Sequence, residues 1–344
     1  MSAEAAPARA RARSLTVDIH CHVLVPECEE LVAPVFRPEL DPFFRYAGEA
    51  SDAVNRAQMS TLLPKFTDPD QRLRDMDRMG VDVQAIAIAP PQYFYWTEPE
   101  LGTRLSRIQN ERIAHIVADH PDRFVPLGTL PLQDVDAALV ELERVTDELG
   151  FRGLEICTNV NGVDFDDPRF LPFFERVQAL DLLLVVHPHG FSHGERLAEH
   201  YLINLVGMPL DSTLFLSHLI FGGVLERFPR LKICVVHGGG YLPLYAARFD
   251  HAYEVRPEIR EHITQPPSAY LELLHFDTMV FDPSQLGQLI DRYGPDRVLL
   301  GTDYPFDMGE DDPVGLVDRV EGLAEADRTL VLGENAVRLL GLDG

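Results

Sequence analysis

The sequence has little that would build a disulfide framework or a membrane span. Its 344 residues include four cysteines, Cys21, Cys28, Cys157 and Cys234, and no two of them form a C-x-x-C pair. Three lie in or beside apolar, strand-like runs, which is typical of reduced thiols in the cytosol. No window approaches the roughly 18 consecutive apolar residues of a transmembrane helix. We therefore expect a cytoplasmic protein without structural disulfides.

Positive charge is also scarce. Lys and Arg total 30 against 55 Asp and Glu, which gives a formal net charge of −25. Because phosphate groups are bound by clustered Lys and Arg, this balance argues against nucleic acid and anionic membranes as partners. A small anionic substrate remains compatible with the charge if a local arginine pocket offsets the field of the whole protein.

Apolar residues make up 46% of the chain and recur as short runs between longer amphipathic segments. The strand candidates are Leu15–His20, Val83–Ala89, Phe124–Thr129, Gly153–Cys157, Leu182–His187, Leu231–His237, Tyr270–Leu274 and Val298–Asp303. The helical patterns between them are Asp70–Met79, Glu100–His120, Asp134–Leu149, Asp167–Leu180, Leu197–Val206, Leu242–Tyr253, Pro283–Tyr293 and Asp312–Leu323. Eight strands that are each followed by a helix predict an α/β protein with a (β/α)8 TIM barrel.

Three regions depart from this alternation. Residues 1–13, rich in Ala and Arg with no apolar stretch, are predicted to be a disordered N-terminal tail. They lack the apolar core of a signal peptide. The barrel domain then covers residues 14–344. Within it, a Pro-rich stretch at about residues 24–66 predicts a small irregular insertion or lid after the first strand. The stretch Phe191–Phe228 contains two helix-like segments, which predicts an enlarged fifth crossover.

A His-x-His pair ends the first predicted strand. Strand alternation turns His20 and His22 to one side of the sheet and Cys21 to the other, so the two imidazoles can reach a common point. Two convergent imidazoles are the beginning of a zinc-type site, although an isolated His-x-His is weak evidence. We exclude Cys21 as a ligand.

Other strand ends carry polar side chains of the same kind. The fifth predicted strand ends at His187 and is followed by His189, the sixth ends at His237 before three glycines, and the eighth ends at Asp303. The carboxyl ends of barrel strands meet at one mouth, where catalytic residues collect. Packing alone does not explain so many histidines and an aspartate at one mouth, and a metal site does.

The types of the candidate ligand atoms indicate which metal ions the site could bind. His20, His22, His187 and Asp303 offer three nitrogens and one carboxylate, which suits one Zn2+ per subunit with a position open for water or substrate. Mn2+ or another divalent ion would accept the same donors. His237 is either a further ligand or an acid/base residue that moves a proton beside the metal.

These residues resemble the amidohydrolase superfamily (amidohydrolase-2), specifically the branch of 2-amino-3-carboxymuconate-6-semialdehyde decarboxylase. Similar segments extend from about residue 15 to the C terminus. Besides the His-x-His pair they are Asp68-Pro69 through Arg74-Asp75-Met76-Asp77, Tyr95-Trp96, Leu127-Gly128-Thr129-Leu130-Pro131, Glu148-Leu149-Gly150-Phe151, Val186-His187-Pro188, Leu205-Val206-Gly207-Met208-Pro209, His237-Gly238-Gly239-Gly240 and Leu300-Gly301-Thr302-Asp303-Tyr304-Pro305-Phe306.

The resemblance implies a metal-dependent, non-oxidative decarboxylase of a small unsaturated or aromatic carboxylic acid, that is, a carboxy-lyase. It implies the zinc ligands named above, with His237 and Asp303 as the catalytic residues. It also implies a homodimer, because an arginine after the Gly-rich loop reaches the neighbouring subunit's site in this branch. That position falls on Arg248, with Arg256 as a second match.

Two departures from the branch affect the substrate. The branch has a carboxylate-binding arginine where this chain has Leu63, and Arg56 or Lys65 would have to replace it, although Lys does not reproduce a bidentate clamp. The branch also has a tryptophan where this chain has the polar His189. These departures favour an alternative on the same site, namely a metal-dependent hydrolase or hydratase of a small carboxylated substrate.

The aromatic residues after the second strand add one more candidate. We expect Trp96, with its neighbours Phe94 and Tyr95, to form an aromatic wall of the substrate site. The predicted substrate-binding residues are therefore Arg248, Arg256, His189 and Trp96. The fourth strand, Gly153–Cys157, offers no lysine, so a carbamate-bridged two-metal centre is not expected.

Overall fold

Eight parallel strands in chain order form the centre of the molecule in a computed structural model that describes residues 14–342. The strands are β1 Val17–Val23, β2 Val83–Ile88, β3 Phe124–Gly128, β4 Gly153–Cys157, β5 Leu183–His187, β6 Lys232–Val235, β7 His275–Asp277 and β8 Val298–Leu299. The predicted (β/α)8 barrel is confirmed. The predicted tail at residues 1–13 lies outside the described residues.

Hydrogen bonds between β1 and the chain that follows β8 close the barrel. The Ile19 N–H donates to the Leu300 carbonyl over 3.0 Å, and the His22 N–H donates to the Tyr304 carbonyl over 2.8 Å. The Asp303 N–H donates to the carbonyl of His20 over 2.8 Å. The eighth strand predicted as Val298–Asp303 is therefore regular only at its beginning, and its remainder follows β1 through these bonds.

Helices surround the strands and fill the connections. They are α1 Pro26–Val32, α2 Pro42–Tyr46, α3 Gly48–Thr67, α4 Pro69–Met79, α5 Pro99–Asp119, α6 Val135–Asp147, α7 Leu171–Ala179, α8 Met208–Phe221, α9 Val224–Arg227, α10 Leu242–Val255, α11 Pro267–Leu271, α12 Pro283–Tyr293, α13 Pro313–Asp318, α14 Glu325–Thr329 and α15 Asn335–Leu340. Proline occupies the first turn of many of them, where the missing N–H costs no hydrogen bond.

Alternate strand residues divide between two apolar clusters. One cluster fills the barrel and includes Val17, Ala85, Val185 and Leu299, and α15 joins it through Leu339. The other lies between the strands and the surrounding helices. This division is the pattern expected for parallel strands that are buried on both faces.

A register shift in β1 positions the His-x-His pair. The pairing with β2 shifts between Asp18 and Cys21, and Cys21 packs in the outer cluster although Ile19 packs inside the barrel. As a result His20 and His22 share the inner side, and the Cys21 thiol lies on the opposite side near the Ala85 carbonyl. The predicted orientation of the three side chains is confirmed.

The insertion after β1 contains more helix than the sequence indicated. The helices α1, α2 and α3 occupy most of the stretch predicted to be irregular. Pro26 and Pro42 stand in the first turns of α1 and α2, where proline favours helix formation. Pro64 lies in the last turn of α3. The high proline content therefore marks helix starts and one helix end.

The prediction of the seventh strand at Tyr270–Leu274 is wrong. Helix α11 ends at Leu271 within this run, a turn follows it, and the strand β7 begins only at His275. A short apolar run fits a buried helix and a buried strand equally well, so its period did not distinguish them. The shift matters because it moves Asp277 to the carboxyl end of a barrel strand.

The crossover after β5 is enlarged, as predicted, but its long helix begins later than Leu197. A π-helical turn at Ile203–Gly207 leads directly into α8. By length and composition alone the stretch Ile203–Phe221 could cross a membrane, but 44% of its most apolar 18 residues are buried inside the fold. Because Phe215 and Leu219 pack in the outer cluster, the apolar character is that of a core helix.

The buried His275 at the start of β7 predicts a specific pH dependence of stability. Burial, together with Arg297 and Arg338, lowers the pKa of His275 from 6.5 to about 4. The unfolded chain therefore takes up a proton below pH 6.5 that the folded chain resists. The free energy of unfolding should fall between pH 6.5 and 4, by at most about 3 kcal/mol from this residue. Urea denaturation at a series of pH values measures it.

The substitution His275→Gln removes this titrating group and should make the pH dependence shallower over that range. His251→Gln is the matched control, because His251 is exposed on α10 and its loss should leave the slope unchanged. An unchanged slope in the His275→Gln variant would contradict the assignment.

Candidate metal centre and adjoining cavities

Four histidines and one aspartate converge at the carboxyl end of the barrel. His20 and His22 come from β1, His187 ends β5, His237 follows β6, and Asp303 follows β8. The imidazole centroids of His20 and His187 are 5.0 Å apart, and those of His187 and His237 are 4.9 Å apart. The structure therefore brings together every residue predicted as a metal ligand and the predicted acid/base histidine. We call these five residues the His/Asp cluster.

The Asp303 carboxylate lies at the centre of the His/Asp cluster. Its Oδ1 is 3.1 Å from His22 Nε2, 3.3 Å from His20 Nε2 and 3.7 Å from His187 Nε2. Its Oδ2 is 3.3 Å from His237 Nε2. Ligand atoms of His20, His187, His237 and Asp303 all lie within 4.8 Å of one another. One small cation could therefore contact several of them at once.

Unpaired nitrogens test whether a cation fits. His20 Nε2 and His187 Nε2 are buried, and neither makes a hydrogen bond within residues 14–342, although Asp303 is close to both. Buried polar atoms in proteins are nearly always hydrogen-bonded or bound to an ion. Two unpaired nitrogens beside the same carboxylate therefore indicate that a binding partner is missing. Imidazole nitrogens with a carboxylate are the ligand set of zinc and of other divalent transition metals. The residues fit such an ion.

The protonation states of His22, His187 and Asp303 agree with this donor set. Burial lowers the pKa of His22 to about 4 and lowers that of His187 well below its ordinary value, so both imidazoles are neutral, as metal ligands must be. Burial disfavours a charged His20, but Asp303 and Asp277 outweigh it and raise its pKa. Burial would also raise the pKa of Asp303, but the histidines, His20 first, hold it well below its usual range.

Asp277 orients one ligand and one loop. His20 Nδ1 lies 2.6 Å from Asp277 Oδ2, and the Gly238 N–H donates to Asp277 Oδ1 over 2.8 Å. A donated Nδ1–H leaves His20 Nε2 free to face the cluster, and this kind of outer partner fixes the ring of a metal-bound histidine. The sequence analysis missed Asp277 because it placed the seventh strand too early. Its position at a strand end was the available signal.

A buried polar network supports the ends of β1 and β8. Arg72 is only 2% exposed, and its guanidinium donates to Gln84 Oε1 over 3.0 Å and to the carbonyl of His22. Asp18 Oδ2 accepts from Gln84 Nε2 over 2.9 Å and from Thr302 Oγ1 over 2.7 Å. The network ties the His-x-His pair to the residue that precedes Asp303. Polar residues inside apolar strands were its only sequence signal.

The backbone at the cluster adopts unusual conformations. His237 and Asp303 both have φ of 55°, and the glycines that follow His237 also have positive φ. Non-glycine residues with positive φ are strained, and they occur mainly at functional sites, where the surrounding structure holds them in that conformation. At Gly240 a Cβ would meet the Pro209 carbonyl oxygen at 2.3 Å, so only glycine fits.

A large cavity opens beside the cluster. It has a volume of about 870 Å3, and its lining includes His237, Asp303, Met208, Leu244 and Phe281. We call this space the apolar cavity, because no Arg or Lys among residues 14–342 lines it. A ligand ring could therefore sit next to His237 without meeting a positive charge from this part of the chain.

His189 borders a smaller cavity on another side of the cluster. This space has a volume of about 60 Å3 and is also lined by His187, Asp303 and Phe306. His189 Nε2 lies 2.7 Å from Asp41 Oδ2, at the start of α2 in the insertion. The residue predicted as a polar pocket wall thus lies next to the cluster and holds the insertion against β5. Trp96 lines neither space and faces a further cavity beyond His189.

The predicted arginines lie apart from the site of their own chain. Arg248 is exposed on α10, and Arg256 is exposed after it, where its Nε donates to Glu258 Oε1 over 2.6 Å. Leu63 and Arg56 are exposed on α3, and Lys65 is half-buried there. None of these five residues lines the apolar cavity or the small one beside the cluster.

Comparison with known proteins adds an independent observation. A model of the amidohydrolase family matches residues 17–342. The chain is 34% identical to 2-amino-3-carboxymuconate-6-semialdehyde decarboxylase of Dictyostelium discoideum, over 96% of this chain and 93% of that protein. It is 30% identical to gamma-resorcylate decarboxylase of Rhizobium sp. (strain MTP-10005), over 80% and 88%. The crystal structure of 5-carboxyvanillate decarboxylase from Sphingomonas paucimobilis superposes with a TM-score of 0.85 at 28% identity, covering 96% of this chain and 99% of that one.

The position of Asp277 predicts an effect on metal affinity. Asp277→Asn should weaken binding of a divalent ion by about 10- to 100-fold, because the His20 ring loses the carboxylate that orients it. Competition with a chromophoric chelator measures the affinity, and elemental analysis gives the metal content per chain. Asp291→Asn, at an exposed position on α12, is the matched control. Equal affinity in the Asp277→Asn variant and the parent would refute the orienting role.

Proposed function

This chain belongs to the amidohydrolase family, and we propose which of its residues carry out its reaction. It is a metal-dependent, non-oxidative decarboxylase of a small unsaturated or aromatic carboxylic acid, the class of its relatives over nearly their whole length. The observation that carries the proposal is the unpaired imidazole nitrogens of His20 and His187 around Asp303, next to an apolar cavity that no described Arg or Lys lines.

His20, His22, His187 and Asp303 are the proposed ligands of one divalent ion per chain. Zn2+ is our first choice because three nitrogens and one carboxylate suit it, and Mn2+ is the second. Such an ion supplies positive charge that binds and polarises a carboxylate. Asp277 and the Arg72 network hold the ligands in place, so that the donors stay convergent.

His237 is the proposed acid/base residue. In a non-oxidative decarboxylation the C–C bond to the carboxylate breaks, CO2 leaves, and the electron pair left on carbon takes up a proton. His237 borders the apolar cavity, and its Nε2 lies 3.3 Å from Asp303 Oδ2, so it can exchange a proton with a ring held there. Asp303 thereby acts twice, as a ligand and as the partner of His237.

A second copy of the chain is proposed to complete the cavity. Leu205, Tyr241, Leu244, Tyr245 and Phe281 line it and are 44–59% exposed, which is unusual for so many large apolar side chains in one place. Arg248 is exposed on the same helix as Leu244 and Tyr245. In a homodimer this arginine would supply a positive charge that residues 14–342 of the same chain do not bring to the cavity, with Arg256 as the second candidate.

A hydrolase or hydratase on the same site is the second candidate. The observation that favours it is His189, a polar side chain beside the cluster that could hold water near a substrate. Its reaction would add water and keep every carbon, so the products distinguish the two candidates directly.

The reaction is tested by incubating the metal-loaded protein with a panel of acids that includes 2,6-dihydroxybenzoate, 5-carboxyvanillate and 2-amino-3-carboxymuconate semialdehyde. We expect one CO2 for each carboxylate lost. His237→Asn should lower turnover by roughly 100-fold or more while metal content stays the same, because the proton donor is removed. His200→Asn, at an exposed position, is the control.

A product that is heavier than its substrate by one water and keeps its carboxylate would support the hydratase instead. No CO2 from any acid of the panel would count against decarboxylation.

The role of Arg248 across subunits predicts complementation between two inactive variants. Light scattering should give twice the chain mass of 38.7 kDa, and Arg248→Ala and His237→Asn should each be inactive dimers. Mixed and reassociated, they should recover about a quarter of the parental activity, because half of the dimers are mixed and each has one intact site.

Arg230→Ala, at an exposed position outside the apolar cavity, should keep full activity alone. The mixture should not regain activity if Arg248 belongs to the active site of its own chain. A monomer in solution would contradict the dimer.

A further inference from the structure

Glu155 carries a buried carboxyl group that the proposed ligand set does not use. It lies in the middle of β4, and its neighbours Leu154 and Ile156 pack in the outer cluster. Because successive strand residues point to opposite faces, the Glu155 side chain points into the barrel. The residue is fully buried there. A carboxyl group is costly at such a position unless neighbouring groups form hydrogen bonds with it.

Only one of the two Glu155 oxygens has a hydrogen-bond partner in the described part of the chain. The hydroxyl of Tyr93, which follows β2, donates to Oε1 over 2.9 Å. Oε2 is buried and makes no hydrogen bond within residues 14–342. Burial raises the pKa of Glu155 to about 8, and a divalent ion at the His/Asp cluster would act in the opposite direction. A further donor beside the carboxyl group would therefore stabilise its charged form.

His22 supplies the complementary unpaired atom. Its Nε2 lies 3.1 Å from Asp303 Oδ1, so a neutral ring that binds a cation through Nε2 carries its proton on Nδ1. This Nδ1 is buried and makes no hydrogen bond within residues 14–342, although the Ile88 carbonyl is also near the ring. Nδ1 lies 3.7 Å from Glu155 Oε1. A shift of about 0.5 Å would bring this pair within hydrogen-bond distance.

We propose that Glu155 is the positioning residue of His22, and that its carboxylate accepts a hydrogen bond from Nδ1–H when Nε2 binds the divalent ion. Tyr93 holds the carboxylate in turn through Oε1. Each histidine of the His-x-His pair then has its own carboxylate, Asp277 for His20 and Glu155 for His22. Such outer partners fix the ring of a metal-bound histidine and strengthen its bond to the metal. The inference rests on the metal centre of the proposed function.

Glu155→Gln tests this role, because it removes the charge and keeps the size of the side chain. The affinity for Zn2+, measured by competition with a chromophoric chelator, should fall about tenfold. The metal-free variant should unfold at the same temperature as the metal-free parent or at a higher one, because a buried charge is lost. A merely structural side chain would give the opposite result, a lower unfolding temperature with an unchanged affinity. Glu199→Gln, at an exposed position, is the control.

Tyr93→Phe tests the same contacts without changing the carboxyl group. It should lower the affinity for Zn2+ about threefold, because Glu155 loses the hydrogen bond that holds it. Tyr95→Phe is the matched control. The ring of Tyr95 stacks on that of Tyr93 with centroids 5.6 Å apart, but its hydroxyl makes no hydrogen bond within residues 14–342. The affinity of this control should equal that of the parent.

Equal affinity in the parent and in a folded Glu155→Gln variant would overturn the role of Glu155 and leave the proposed function intact. If Glu155→Gln does not fold, Tyr93→Phe decides: a threefold loss supports the proposal, and an unchanged affinity overturns it. A parent protein that binds no divalent ion would overturn the proposed function together with this inference.

Discussion

The contact between the Asp303 carboxylate and four imidazoles is the interaction on which the rest of the structure depends. Asp303 lies 3.1–3.7 Å from ring nitrogens of His20, His22, His187 and His237. These residues come from four separate positions around the barrel, and the same segment that carries Asp303 closes the barrel against β1. The hydrogen bonds that close the barrel therefore also place Asp303 among the histidines.

The cluster needs support because polar groups buried in an apolar barrel are costly when they lack partners. Asp277 holds His20 and the Gly238 backbone, and Arg72 holds Gln84 and the carbonyl of His22. Within residues 14–342, the Nε2 atoms of His20 and His187 remain without a hydrogen bond. The hydrogen bonds of Asp277 and Arg72 therefore orient the cluster, and the convergent nitrogens stay available to a cation.

His189 links the metal centre to the rest of the mouth. It borders the small cavity beside Asp303, reaches the insertion through Asp41, and lines a further cavity together with Trp96. His189 therefore separates two spaces at the mouth.

The sequence by itself determined the barrel and the donors of the cluster, because strand periodicity sets side-chain direction and parallel strands end at one mouth. His20, His22, His187, His237 and Asp303 were all identified on that basis, and the structure brings them together. Only the tertiary structure decided the position of β7, and with it Asp277, because a short apolar run has no period that separates helix from strand. It also decided which cavities His189 and Trp96 face, since loops distant in the chain form those walls and no local pattern encodes their meeting.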